Sequence, residues 1–151
     1  MNRTHALALA LIITAIAFLA VFFLKPRPAF AECTGRAQCF SEQVTRVIDG
    51  DTIAAGETRI RLVLVDTPEK NEKGYEEATE FTKSLCLNKN AIIDQDDLQY
   101  YDDYGRMLAV VYCNGTNVND AILEGKYGVL YKIFCDESEF GSADWAKKAG
   151  C

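Results

Sequence analysis

The chain is expected to fold as a mainly β member of the α+β class, with five short strands and an inserted helix forming a small closed or partly open barrel. Two observations carry this expectation. Apolar runs of strand length are cut by turn signals at Asp49-Gly50, Gly56 and Asn114-Gly115. One longer segment, Glu72 to Leu87, instead has helical spacing, with Tyr75, Ala78, Phe81 and Leu85 on one face. With 49% hydrophobic and 25% charged residues, the 151-residue chain can bury a core.

In chain order, Gln43–Ile48 is expected to be the first strand and Thr52–Ala55 the second. Glu57–Val65 is the third, alternating Arg59 and Arg61 against Ile60 and Leu62 before becoming continuously apolar. Ala91–Asp94 and Met107–Cys113 complete the set, flanking an acidic, tyrosine-rich loop. Short helices are expected from Asn117 to Leu123 and from Ser142 to Ala149, with Phe140 and Trp145 seating the tail. Asn114-Gly115-Thr116 reads either as a glycosylation sequon or as a tight turn.

The first 31 residues stand apart as a signal peptide or membrane anchor, leaving a domain at 32–151. Residues Ala6–Leu24 are apolar apart from Thr14 and follow Arg3, the pattern of an export segment. The run is long enough to suggest a membrane-spanning anchor, whereas Ala29-Phe30-Ala31 has the small-x-small form of a cleavage site. Cleavage after Ala31 is the preferred expectation. All six cysteines lie beyond this segment, an even number that fits disulfides in an oxidising compartment. Cys33–Cys39, Cys86–Cys113 and Cys135–Cys151 are the expected pairs. Secretion, or display on the outer face of the cytoplasmic membrane, follows.

Charge limits the partners. The whole chain carries −6, and setting aside Arg3, Lys25 and Arg27 leaves 13 basic against 22 acidic residues, near −9. A protein that coats nucleic acid through a broad basic face should show the reverse. Histidine chemistry is excluded too, because the sole histidine, His5, lies in the export segment. What remains is carboxylate-bound metal assisted by arginine. Asp49, Asp51, Asp66 and Glu69 cluster at strand ends, and hard divalent cations favour such oxygen donors. Asp49 reads better as the cap of its turn than as a ligand. Arg61 and Arg106 could grip a phosphate through their planar forks. Arg61 and Asp66 are five residues apart, an odd spacing that puts them on opposite faces of an ideal strand. For both to serve one site, the strand must bulge, twist or end before Asp66.

The segments VTRVIDGDTI, IRLVLVDTPE, DDYGRMLAVVY and NVNDAILEGKYGVLY, between Val44 and Tyr131, resemble the staphylococcal (thermonuclease) nuclease family in order and spacing. The resemblance implies an oligonucleotide/oligosaccharide-binding (OB) type barrel with about three accessory helices. It also implies calcium-dependent cleavage of DNA and RNA to 3′-phosphate products, by a chain expected to be monomeric. Carried over by position, Asp51 and Asp66 would bind Ca2+, with the Thr67 backbone carbonyl. Glu69 would orient or deprotonate the attacking water, and Arg61 and Arg106 would hold the scissile phosphate. Tyr104 and Tyr131 match nucleotide-binding positions, although a packing role for either stays open. This chain departs from the family pattern at Asp103, where lysine is familiar, and at Ile133, where a second tyrosine is. A catalytically weak nucleic-acid-binding module is the alternative reading, and a phosphodiesterase of some other surface substrate is a third. The acidic run from Asp94 to Asp103 is expected to be a solvated loop, with a second cation site there as the minority reading.

Overall fold

The computed structural model describes residues 33–151; the expected export segment and the expected cleavage site lie outside them. Among the described residues, no helix is long and apolar enough to cross a membrane.

Five strands close into a mixed barrel. β1 (Cys39–Val47) is the longest and serves two neighbours. Its first half pairs antiparallel with β5 (Asn90–Gln95), from Cys39 opposite Asp94 to Gln43 opposite Asn90. Its second half pairs with β2 (Thr52–Ala55) across a register shift between Val44 and Arg46. Such an irregularity bends the strand, which a small barrel needs at its corners. β2 turns at Gly56 into β3 (Thr58–Leu62), and β5 pairs antiparallel with β6 (Met107–Cys113). Closure comes from a parallel pairing of β3 with β6, Ile60 opposite Met107 and Leu62 opposite Ala109. Inward-facing Val44, Ile53, Ile60, Leu62, Ile93 and Val111 fill the interior and are fully buried.

The third strand is shorter than the sequence pattern suggests. It stops at Leu62, the chain turns through Val63 and Leu64, and a separate short β4 (Val65–Asp66) pairs with β8 (Val129–Leu130). Leu64 has a φ of 61°, which no strand residue adopts. The turn is held by the fully buried Asn119, whose Nδ2 donates to the Val63 and Ala109 carbonyls while its Oδ1 accepts from the Val111 N–H. Apolar content alone conceals this break, because Val63 and Leu64 are buried outside the barrel instead of within it.

α1 (Tyr75–Cys86) starts three residues later than the periodicity suggests, because Gly74 sits at φ 98° and cannot extend a helix. Its buried face is Ala78, Thr79, Thr82 and Cys86, turned one position from the expected one, with Phe81 and Leu85 at its edge. A tight turn at Asn114-Gly115, both at positive φ, joins β6 to β7 (Thr116–Asn117). α2 (Val118–Glu124) follows, its first turn capped by the Asn117 side chain accepting from the Asp120 N–H.

A second apolar cluster forms outside the barrel, from Val63, Leu64, Val110, Phe140 and Ala146, with Trp145 against it. It seats the tail, made of a 3-10 turn at Glu139–Ser142 and α3 (Asp144–Ala149). The cysteines pair as Cys33–Cys39, Cys86–Cys113 and Cys135–Cys151, the last stapling the tail.

Candidate active site

Three short chain segments meet at one end of the barrel: the Asp49–Thr52 turn, the β3 end with the following Val65–Glu69 stretch, and the start of β6. The first is anchored from behind by α1, whose Thr82 hydroxyl donates to the Gly50 carbonyl at 2.6 Å. Gly50 is required there, because a Cβ would fall 2.7 Å from Thr67 Oγ1 and 2.8 Å from the Ala78 methyl. Asp49 behaves as a turn residue, its Oδ1 accepting from the Asp51 N–H at 3.2 Å.

The broken third strand resolves the odd spacing of Arg61 and Asp66. Because the chain reverses at Leu64, Asp66 returns to the face of Arg61, and Arg61 Nη2 lies 3.2 Å from Asp66 Oδ1 and 3.6 Å from Asp51 Oδ2. Arg61 Nη1 donates to the Val65 carbonyl at 2.6 Å, so the guanidinium itself braces the turn. Asp51 is buried, and both its oxygens are engaged. Oδ2 accepts from the Thr67 N–H and hydroxyl, and Oδ1 accepts from the Thr52 hydroxyl.

Thr52 then makes the link that sequence reasoning missed. Its Oγ1 also accepts from Arg106 Nη1 at 3.2 Å, so Arg61, Asp51, Thr52 and Arg106 form one continuous polar chain. Arg106 is aimed by Asp102, whose Oδ2 accepts from Nε at 2.6 Å and whose Oδ1 accepts from the Arg106 and Tyr104 N–H groups. Burial pushes the Asp102 carboxyl up, but the hydrogen bonds and charge of Arg106 outweigh it and hold it below its ordinary value. The DGDT and DDYGR segments contain both residues, so a hydroxyl and a carboxylate flanking the expected ligands were the available signal.

The two tyrosines each cover one guanidinium. Tyr104 is 77% exposed, with Arg106 Cζ 5.4 Å from its ring centroid; Tyr131 lies 5.8 Å from Arg61 Cζ, edge-on to Phe134. An exposed ring stacked on a cation is free to meet a base on its other face. Glu69 stands at the exposed rim and opens a turn, its carbonyl accepting from the Glu72 N–H, so it precedes α1 by several residues. Its own N–H donates to Glu72 Oε2. Its carboxylate makes no hydrogen bond among the described residues and touches the group only through charge. Burial raises the Asp49 carboxyl above its ordinary value, and the charges of Asp51 and then Glu69 push the same way.

The sequence-predicted residues are therefore brought together, with Glu69 peripheral. The donors near Asp51, Asp66 and Thr67 are oxygens alone, which suits a hard cation. No three carboxylates here converge within 4.8 Å, so protein ligands fill only part of a coordination shell. A separate groove between α2 and α3, lined by Leu123, Leu130, Trp145 and Lys148, shares none of these residues.

The site is thus a carboxylate–arginine cluster at one end of a closed OB-type barrel. The family model described as staphylococcal nuclease homologue matches residues 59–149, and the chain belongs to that family. It is 37% identical over 99 residues to an uncharacterized endonuclease of Escherichia coli O157:H7, covering 61% of each chain. It is 36% identical over 104 residues to protein ParB of Escherichia coli, covering 66% of this chain and 52% of that one. Against endonuclease YncB of Bacillus subtilis (strain 168) the figures are 35% over 97 residues, 57% and 46%. The chain thus spans roughly half to three-fifths of the length of the curated relatives it matches.

Proposed function

We propose that this chain is an exported, calcium-dependent nuclease that hydrolyses phosphodiester bonds of DNA and RNA and acts as a monomer. The observation that carries the reading is the polar chain Arg61–Asp51–Thr52–Arg106, which holds two guanidiniums on either side of the acidic group. One arginine beside one aspartate is a common surface pair. Two arginines, each braced by a carboxylate and joined through a buried aspartate and threonine, are suited to oxygens of a single phosphate. Relatives bearing the printed name endonuclease support the substrate class. Three disulfides support an oxidising destination.

Calcium held by Asp51, Asp66 and the Thr67 carbonyl would supply positive charge against the phosphodiester and acidify nearby water. The protein's own groups do the rest. Arg61 and Arg106 bind the non-bridging phosphate oxygens and stabilise the charge that gathers on them in the transition state. Glu69, unengaged and exposed, positions a water on the open side. A carboxylate beside a cation is a weak base, so positioning is its main contribution. Water oxygen bonds to phosphorus, the bond to the 5′-oxygen breaks, and a proton from water ends on that oxygen through solvent. The products are a 3′-phosphate and a 5′-hydroxyl. Tyr104 and Tyr131 stack on or pack against the flanking nucleotide.

The close Arg106–Asp102 pair and the exposed Asp103 favour one competing reading, a module that binds nucleic acid without cutting it. A gel assay on single-stranded DNA and on RNA with the oxidised protein separates the two. Cleavage in calcium that stops with chelator supports the nuclease. Binding without cleavage sinks it.

A further inference from the structure

A row of arginines crosses the outward face of the barrel beside the site. Ile60 of β3 and Met107 of β6 are parallel partners with buried side chains. Arg59 and Arg106, each one residue earlier, are therefore neighbours on the opposite, outward face. Arg59 Nη2 donates to the Tyr104 carbonyl at 3.3 Å, which ties it to the loop whose ring covers Arg106. Arg59 pairs in turn with Ala54 of β2, and Ala54 with Arg46 of β1. The row thus runs Arg106, Arg59, Ala54, Arg46, with only the Ala54 methyl between the last two arginines.

The irregularity in β1 is what adds Arg46. Val44 and Val47 are both buried in the core although three residues apart, because the register shift between Val44 and Arg46 leaves two residues, Thr45 and Arg46, facing out. Arg46 and Arg59 are exposed, and neither forms an ion pair among the described residues. Like charges set side by side across strands repel one another, and an anion laid along them relieves that repulsion. The row is also a local exception on a chain whose net charge is −6.

We propose that Arg59 and Arg46 bind the phosphates next to the scissile one, so that a single nucleic-acid strand leaves the site across β3, β2 and β1. The inference rests on the nuclease reading, in which Arg61 and Arg106 hold the scissile phosphate. Neighbouring strands lie about 4.8 Å apart, so Arg106 and Arg46, three strand intervals apart, are separated by roughly 14 Å at the backbone. That span suits two further phosphates of an extended strand. One narrow row of cations on an acidic chain follows one nucleic-acid backbone, not two. Guanidinium forks grip phosphate oxygens, so these contacts add affinity and register without sequence preference.

Fluorescence anisotropy of the oxidised full chain with a labelled DNA strand of about twelve nucleotides, in chelator and over a series of salt concentrations, tests it. Arg46→Gln and Arg59→Gln each lower the slope of log affinity against log salt by about 0.7, and the double variant lowers it by about 1.4. The unfolding midpoint of the double variant stays near that of the wild type, since both residues are exposed. Arg46→Lys with Arg59→Lys keeps the slope, because it keeps the charges. In calcium, the double glutamine variant loses more kcat/KM on this strand than on a dinucleotide, whose one diester ends at Arg61 and Arg106. An unchanged slope in the double glutamine variant overturns the proposal. Displacement of the strand by polyglutamate as readily as by unlabelled DNA overturns it too, since the row then serves any polyanion. A wild type that binds with the full slope but cuts nothing in calcium supports the track and sinks the nuclease reading, so the two failures stay distinct.

Discussion

Two acidic groups on one barrel differ in what faces them. At the barrel end, Asp51 and Asp66 meet Arg61, and Asp102 meets Arg106. On the outer wall, Asp94, Asp96, Asp97 and Glu139 meet backbone N–H groups and no basic side chain among the described residues. The first group balances its carboxylates with two guanidiniums that are only partly exposed, 12% and 21%. The second is closed over by the residues after Cys33 and by the start of the tail. Carboxylate number therefore says little about role; the counter-charge and the exposure decide it.

The largest effect expected from breaking this contrast lies at the arginines. Arg106→Ala should lower turnover by about two to three orders of magnitude, as loss of one transition-state donor does. Its unfolding midpoint should fall modestly, because Asp102, 16% exposed, loses its guanidinium partner but keeps its backbone donors. Steady-state kinetics beside thermal unfolding checks both. Intact activity removes Arg106 from the mechanism.

Thr52→Val is expected to be milder, lowering turnover roughly tenfold to a hundredfold by cutting the hydroxyl link that positions Asp51 and Arg106. The split is diagnostic. A positioning role lowers kcat with little change in KM, and Thr52→Ser should restore most of the rate. A fall in stability alone, with kcat unchanged, would make the threonine merely structural.

Asn119→Ala tests the turn that brings Asp66 back to Arg61. It strands the Val63 carbonyl and the Val111 N–H, costing about 1–3 kcal/mol for each buried group left unpaired. Denaturant unfolding measures the loss. A shift under about 0.5 kcal/mol, the size of an ordinary surface change, would contradict the role assigned to it.

The smallest effect concerns pH. The Asp102 carboxyl is held below its ordinary value in the folded chain, so its pairing stabilises the fold above the unfolded value, about 3.9. That contribution fades as pH falls through the lowered value. Asp102→Asn should therefore flatten the acid limb of the stability profile below about pH 4 while altering it little in shape near pH 7. An acid limb identical to that of the parent protein would show that Asp102 titrates normally.

Much of this was legible in the residues. β2 and β6 begin and end where the alternation and turn signals put them, and the cysteine pairs, the Asn114-Gly115 turn and the seating of Phe140 and Trp145 were readable too. The break after Leu62 was not, because Val63 and Leu64 remain apolar and only the remote Asn119 marks the turn. That one hidden turn also concealed how Arg61 could reach Asp66. The order of the site residues was visible, whereas the Thr52 link depends on a contact between residues 54 positions apart. The acidic run is solvated from Leu98 onward, as its composition suggests; only Asp94 to Asp96 at its start are buried, by chain segments that no local pattern reveals.

The central claim is that the two guanidiniums and the acidic group at the barrel end cut phosphodiesters with calcium. Incubating single-stranded DNA with the oxidised wild-type chain and with Arg106→Ala, in calcium and in excess chelator, tests it most directly. The account predicts cleavage by the wild type in calcium alone, ending in 3′-phosphate termini, and near-complete loss in the variant. Undiminished cleavage in chelator, or equal cleavage by the variant, would contradict it.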